Sequence, residues 1–170
     1  MKINSEILQN IVNYLNYNEK YLFIISSKSI INEYTQVNNL VIKTSDYLII
    51  NYLNYYKNIV NLSIIIDWTN LELIYYICKC TFNNLEKVKF DIDYEKFREK
   101  NISNAVILEY TLLNKYLKIF FSNHVNLIDI SIRNSYSLKD STVLLIYNKC
   151  KKLKNINLDN CIGLTNLSKK

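Results

Sequence analysis

CKKLKNINLDNCIGLT, residues 150–165, carries the pattern that decides the fold: Cys150, Leu153, Ile156, Leu158, Cys161 and Leu164-Thr165, or C-x-x-L-x-x-I-x-L-x-x-C-x-x-L-T. Its apolar half recurs upstream. Leu127, Ile130 and Ile132 precede Leu153, Ile156 and Leu158 by 26 residues each, and Ile59, Leu62 and Ile64 precede Leu85, Val88 and Phe90 by the same 26. A looser copy, Val37, Leu40 and Ile42, stands 22 residues before Ile59, Leu62 and Ile64. A fixed period in this range marks stacked units of about one strand and one helix, none of which can bury its apolar face alone.

In each copy the second and third apolar residues alternate along an extended segment, so both point to one face. Strands are therefore expected near 37–42, 59–64, 85–90, 127–132 and 153–158. Eight residues after each first apolar position stand Ser45, Asp67, Asp93, Ser135 and Cys161. These are small polar or thiol side chains, suited to accept hydrogen bonds from a turn leaving a buried strand. Helices are expected between strands. Thr69 and Glu72 form a capping box ahead of Leu71, Ile74, Ile77 and Cys78, while Leu48, Ile49, Tyr52, Leu53 and Tyr56 make a comparable stripe. Val143, Ile146, Tyr147 and Cys150 make another. One interval departs from the period: Leu85 to Leu127 spans 42 residues and holds a charged stretch, 91–100, and an amphipathic helix with Val106, Tyr110, Leu113, Leu117 and Phe120. The reading is one lengthened unit, because no further L-x-x-L-x-L lies between them.

Residues 1–35 lie outside the repeat. Ile3, Ile7, Leu8, Ile11, Val12 and Leu15 form a helical stripe with Asn4 or Ser5 as N-cap and Glu6 in the first turn. After a loop at 16–18, Tyr21 to Ile25 leads through Ser26-Ser27-Lys28 towards Tyr34.

The repeat resembles the leucine-rich repeat family, and its last copy is similar to the cysteine-containing subtype, with Cys before the strand, Cys after it, then Leu-Thr. The resemblance covers residues 37–167, and in the preceding copy His124 and Ser135 take the two cysteine places. It implies an α/β solenoid with parallel strands lining the concave side and helices outside. The N-terminal segment resembles the F-box motif: Ile3, Glu6, Ile7, Leu8, Ile11, Leu15, Ser27 and Lys28 match in order and spacing. Asn4 stands where the family has Pro, Lys20 where it has an apolar residue, and Ser26 where it has Val. An F-box ahead of cysteine-containing repeats implies a substrate receptor of a cullin-based ubiquitin ligase, docking a Skp-type linker through Ile3, Glu6, Ile7, Leu8, Ile11 and Leu15. The alternative is a repeat interaction module whose residues 1–35 serve as a helical cap, with no ubiquitin role.

On a strand-lined concave face the residues flanking the buried pairs project outward. They form three columns: Asn39, Asn61, Lys87, Asp129 and Asn155; then Val41, Ser63, Lys89, Ser131 and Asn157; then Lys43, Ile65, Asp91, Arg133 and Asp159. The nine from the last three strands are the expected partner-binding residues. A mixed polar surface of this kind suits protein recognition.

Composition bounds the alternatives. A hydrophobic content of 49% in 170 residues supports a core, and the absence of Pro with a single Gly, Gly163, beside abundant Asn, Ile, Lys and Tyr reads as an AT-rich coding bias. That bias would suit an AT-rich protist or a large DNA virus acting in host cytoplasm. It leaves Asn to fill turn positions that need positive φ. The net charge of +6 is scattered, apart from Lys149, Lys151, Lys152 and Lys154, with Lys169 and Lys170 at the end. Without interleaved aromatics that cluster does not favour nucleic acid as partner. No apolar run approaches the roughly 18–20 residues of a membrane span, and polar residues break any secretory core near the start. Four cysteines in such a chain fit reduced thiols in cytoplasm or nucleus.

Catalytic and metal signals are sparse. His124, the single histidine, has no nucleophile at a recognisable spacing and reads as structural. Cys78-x-Cys80 lacks a second ligand pair, Cys150 and Cys161 read as core thiols, and one glycine cannot build a phosphate-cradling loop. Asp91, Asp93 and Glu95 read as a solvated face. The expectation is a non-enzymatic chain with no cofactor and no metal.

Overall fold

The structure, a computed structural model, describes residues 38–45, 53, 58–66, 71–93 and 104–165, with the backbone alone over 104–110. The F-box-like residues Ile3, Glu6, Ile7, Leu8, Ile11 and Leu15 lie outside the described residues. So do Val37, Asp67, Thr69, Glu95 and, apart from Leu53, the apolar stripe after the first strand.

Five parallel strands follow one another across a single sheet in chain order: β1 Asn39–Lys43, β2 Asn61–Ile66, β3 Lys87–Ile92, β4 Asp129–Arg133 and β5 Asn155–Asn157. Among the described residues three helices stand between them, α1 Leu71–Lys79, α2 Asn104–Asn123 and α3 Asp140–Lys149. The pairing follows the repeat. Leu40, Leu62, Val88, Ile130 and Ile156 lie in one row across the sheet, and Ile42, Ile64, Phe90 and Ile132 in the next. β3 pairs directly with β4, so the 42-residue interval is one lengthened connection, which the 20-residue α2 fills.

Each strand starts about two residues later than the sequence frame places it. Ile59, Leu85 and Leu127 are buried yet precede their strands, because the chain is still turning there. Val60 and Asn61 both donate to the Asn38 carbonyl, at 2.9 and 2.8 Å. Lys154 and Asn155 share the Ile128 carbonyl in the same way, at 2.8 and 3.2 Å. Leu158 falls beyond β5 for a related reason: its carbonyl accepts the Cys161 N–H at 3.2 Å, which turns the chain away.

Both repeat rows of the inner strands are buried in one apolar cluster with Leu73, Ile74, Ile77 and Cys78 of α1, Leu113, Leu117, Phe120 and Phe121 of α2, and Val143 and Ile146 of α3. The core of repeated apolar positions is complete only in the middle. Leu40, Leu153, Ile156 and Leu158, at the two ends of the row, are half-buried. Phe90 ties sheet to helix, with its ring 5.1 Å from Phe120 and 6.0 Å from Phe121. In α1 and α3 an acidic residue in the first turn (Glu72, Asp140) and a lysine in the last (Lys79, Lys149) oppose the helix dipole. Tyr147, read from sequence as part of the buried stripe of α3, is instead 46% exposed.

The turns behind β4 and β5 use asparagine in place of glycine. Asn134 and Asn160 take φ of 59° and 57°, and the Asn160 amide donates to Asn134 Oδ1 at 3.0 Å. Beside them the small-residue column behaves in two ways. Ser135 Oγ accepts the Leu138 N–H at 3.1 Å, as expected of a turn acceptor, whereas the Cys161 thiol donates to the Ile132 carbonyl at 3.2 Å. Ser45 is exposed.

Gly163 is needed for space. A methyl group there would stand 2.6 Å from the Leu138 carbonyl oxygen and 2.8 Å from that of Tyr136, both backbone atoms of the turn before it. Gly163→Ala is expected to cost about 1–3 kcal/mol as an overpacked contact. A urea-unfolding midpoint equal to that of the natural chain would show that this turn shifts freely.

Candidate functional site

A parallel sheet ordinarily has both faces covered. Here the face away from the apolar cluster carries the three polar columns, and every residue of them on the described strands is half-buried or exposed. Pairing aligns them: Asn39, Asn61, Lys87, Asp129 and Asn155 in the first row, Val41, Ser63, Lys89, Ser131 and Asn157 in the second, and Lys43, Ile65, Asp91 and Arg133 in the third. A groove of about 560 Å³ runs along this face. Of the nine expected binding residues, Lys87, Lys89, Asp129, Ser131, Asn155 and Asn157 line it, joined by Asn39, Val41, Asn61 and Ser63 from the first two strands. Asp91, Arg133 and Asp159 sit outside its lining.

Strand spacing of about 4.8 Å brings equivalent side chains of neighbouring strands within reach of one another. The Asn61 amide donates to Asn39 Oδ1, and the Asn155 amide to Asp129 Oδ1. Lys87 Nζ lies 3.3 Å from Asp129 and Lys89 Nζ 3.0 Å from Asp91. The Asn155 amide, ahead of the Lys87 ammonium, holds the Asp129 carboxyl below its usual range. Asp91 is also approached by Arg133 at 4.0 Å and by the Asn134 amide at 3.3 Å, so the acidic residue read as merely solvated is the centre of a cluster. Asp159 takes the Asn157 amide at 2.9 Å. Exposed pairs of this kind contribute little stability. Their effect is to fix side chains in place on a half-open face, which lowers the ordering cost of binding.

Among the described residues, the buried Arg133 Nε and Asn61 Oδ1 have no protein partner. Val41 is 61% exposed on the same face and supplies an apolar contact.

A second groove, of about 770 Å³, lies before the strand starts and was not anticipated from the sequence. Asn58, Asn84 and Asn126 line it, each just before the first apolar residue of its copy, and Asn84 donates to Asn58 at 3.3 Å. That preceding-asparagine column was the available signal.

His124 is buried between Phe82 and Phe120, with ring separations of 5.6 and 4.2 Å. Its Nδ1 faces the Phe120 carbonyl at 2.8 Å and its Nε2 accepts the Phe82 N–H at 3.1 Å. The Cys150 thiol donates to the His124 carbonyl at 3.5 Å, which links the two equivalent places of neighbouring copies. Burial pushes the Cys80 and Cys150 thiols up to about 11 and raises Cys78 as well, with Cys80 adding to the latter. Such thiols stay protonated near neutrality. Among the described residues no group of three or more His, Cys, Asp or Glu is placed to hold a metal ion, and no helix is long and apolar enough to cross a membrane.

The chain matches no protein-family model, no curated protein and no solved structure.

Proposed function

We propose that the chain is a non-enzymatic adaptor of the leucine-rich repeat type that holds a partner protein on its open sheet face. The carrying observation is the register: the side-chain columns read from the sequence stand in aligned rows across five parallel strands, on a face that no helix covers among the described residues. A polar, half-fixed surface suits a protein that brings its own carboxylates and amides. The F-box resemblance of residues 1–35 extends the reading to a substrate receptor of a Skp–cullin ubiquitin ligase, working in cytoplasm or nucleus.

The test is co-purification of the intact chain with a Skp–cullin pair. Binding is expected to fall at least about tenfold in Ile7→Asp and Leu8→Asp, because a charge in an apolar docking stripe removes more than 1.4 kcal/mol. Failure of the intact chain to bind, or unchanged binding by both variants, removes the ubiquitin reading.

A second reading is the interaction module with a helical cap, which would shield the outer edge of β1 from pairing. Under that reading deletion of residues 1–35 melts the sheet by circular dichroism. Under the F-box reading the sheet survives.

A further inference from the structure

We propose that the outer side of β5 is a docking site, distinct from the open sheet face, for an acidic extended segment of a partner protein that adds as a further strand. Among the described residues β5 pairs with β4 alone. Asn155 directs its N–H to β4, donating to the Ile128 carbonyl. Backbone polar groups alternate sides along a strand, so the N–H and carbonyl of Ile156 point away from β4 and need a partner.

The side chains there are apolar and only partly covered. Leu127, Ile130 and Ile132 of the preceding copy are buried, whereas their equivalents Leu153, Ile156 and Leu158 are half-buried. The helix repeats the contrast. Phe121 of α2 is fully buried, but Tyr147, 26 residues later on α3, is 46% exposed and neighbouring Leu144 is 60% exposed. Thr142 Oγ1 donates to Asn114 of α2 at 2.7 Å, which fixes the side of α3 turned to α2. At about 100° per residue, Leu144 and Tyr147 stand on the side of α3 turned away from α2.

Charge selects the occupant. Lys149, Lys151, Lys152 and Lys154 are exposed within six positions at this end, and among the described residues none has an ion-pair partner. A short, lysine-flanked edge repels a second copy of itself, which would bring two such clusters together. Nucleic acid could meet the lysines but would leave Leu153, Ile156 and Tyr147 wet and the Ile156 backbone unpaired. A strand alternating carboxylates with apolar residues satisfies all three demands: edge hydrogen bonds, apolar cover and opposite charge.

The experiment titrates the intact chain with a short fluorescein-labelled peptide in which Glu alternates with Val. Saturable binding is expected, together with at least about tenfold slower amide exchange at Ile156 in the complex. Affinity should fall at least about tenfold in the combined variant Lys149→Glu, Lys151→Glu, Lys152→Glu and Lys154→Glu, whose charges are at the surface and leave the fold intact by circular dichroism. Ile156→Asp serves as an independent second variant with the same expected loss. The proposal is overturned by no saturable binding at millimolar peptide, by equal binding of the Lys–Val counterpart, or by unchanged Ile156 exchange. Full competition by a single-stranded oligonucleotide, or concentration-dependent self-association that the peptide does not reverse, overturns it as well.

Discussion

Phe90→Ala is expected to destabilise the chain by about 3–5 kcal/mol, enough to leave it partly unfolded at physiological temperature. Phe90 sits in the central strand of the sheet with no exposed surface, and its ring meets Phe120 and Phe121 of α2 edge-on, at 5.1 and 6.0 Å. Removing it costs the transfer energy of the ring, leaves a void that a tightly packed interior cannot fill, and forfeits the two aromatic contacts. The position matters because α2 fills the one irregular interval. Ordinary copies close strand to helix over a short path, but here a 20-residue helix must be held against β3 and β4 by side chains. Phe90→Leu keeps volume near the strand and should recover part of the loss. The measurement is urea unfolding followed by circular dichroism. A Phe90→Ala midpoint within about 0.5 kcal/mol of the natural chain would mean that the sheet carries its stability without α2.

Register was legible because its cause is local. A period of two within a strand and a fixed count between strands determine which residues pair, whatever the loops do. The same logic placed the sheet-face columns apart from Asp159, which lies in the turn beyond β5, since any residue between two buried neighbours must face the other way. Strand starts were not legible, because the shared carbonyls of Asn38 and Ile128 depend on how the previous strand sits and leave no trace in composition. Tyr147 was misplaced for an opposite reason. Helical spacing put it on the stripe with Val143 and Ile146, but its counterpart Phe121 is fully buried while Tyr147 is 46% exposed, and the spacing of α3 cannot report on what packs beside it. Glycine scarcity hid the turns. Asn134 and Asn160 adopt the left-handed conformation, yet they are indistinguishable in sequence from the many asparagines that do not need it. Asp91 looked like one of three alternating carboxylates. Its true company, Lys89, Arg133 and Asn134, comes from its own strand and from the next one with its turn.

Acidification should destabilise the fold through His124, and loss of that side chain should cost about 3–5 kcal/mol at neutral pH. The Phe120 carbonyl can only accept, so Nδ1 carries the proton. The Phe82 N–H can only donate, so Nε2 must be bare. The folded site therefore fits the neutral ring. Protonating Nε2 turns the acceptor into a donor facing a donor and places a charge among buried phenylalanines. Burial accordingly lowers the pKa of His124 from its ordinary 6.5, with the Phe120 carbonyl opposing in part. With the folded value below the unfolded one, the unfolded chain binds more protons between the two, so unfolding becomes easier as pH falls. The stabilisation is complete above about pH 6.5 and is lost as pH drops through the lowered folded value. His124→Gln keeps an acceptor of similar reach without a titrating group. It should be less stable than the natural chain at about pH 7.5 but should lose less on going to about pH 5.5. His124→Ala leaves the Phe82 N–H unsatisfied beside a cavity. If natural chain and His124→Gln show the same slope of stability against pH, the histidine is not held neutral, and the link it makes between Phe82 and the end of α2 does not contribute as argued.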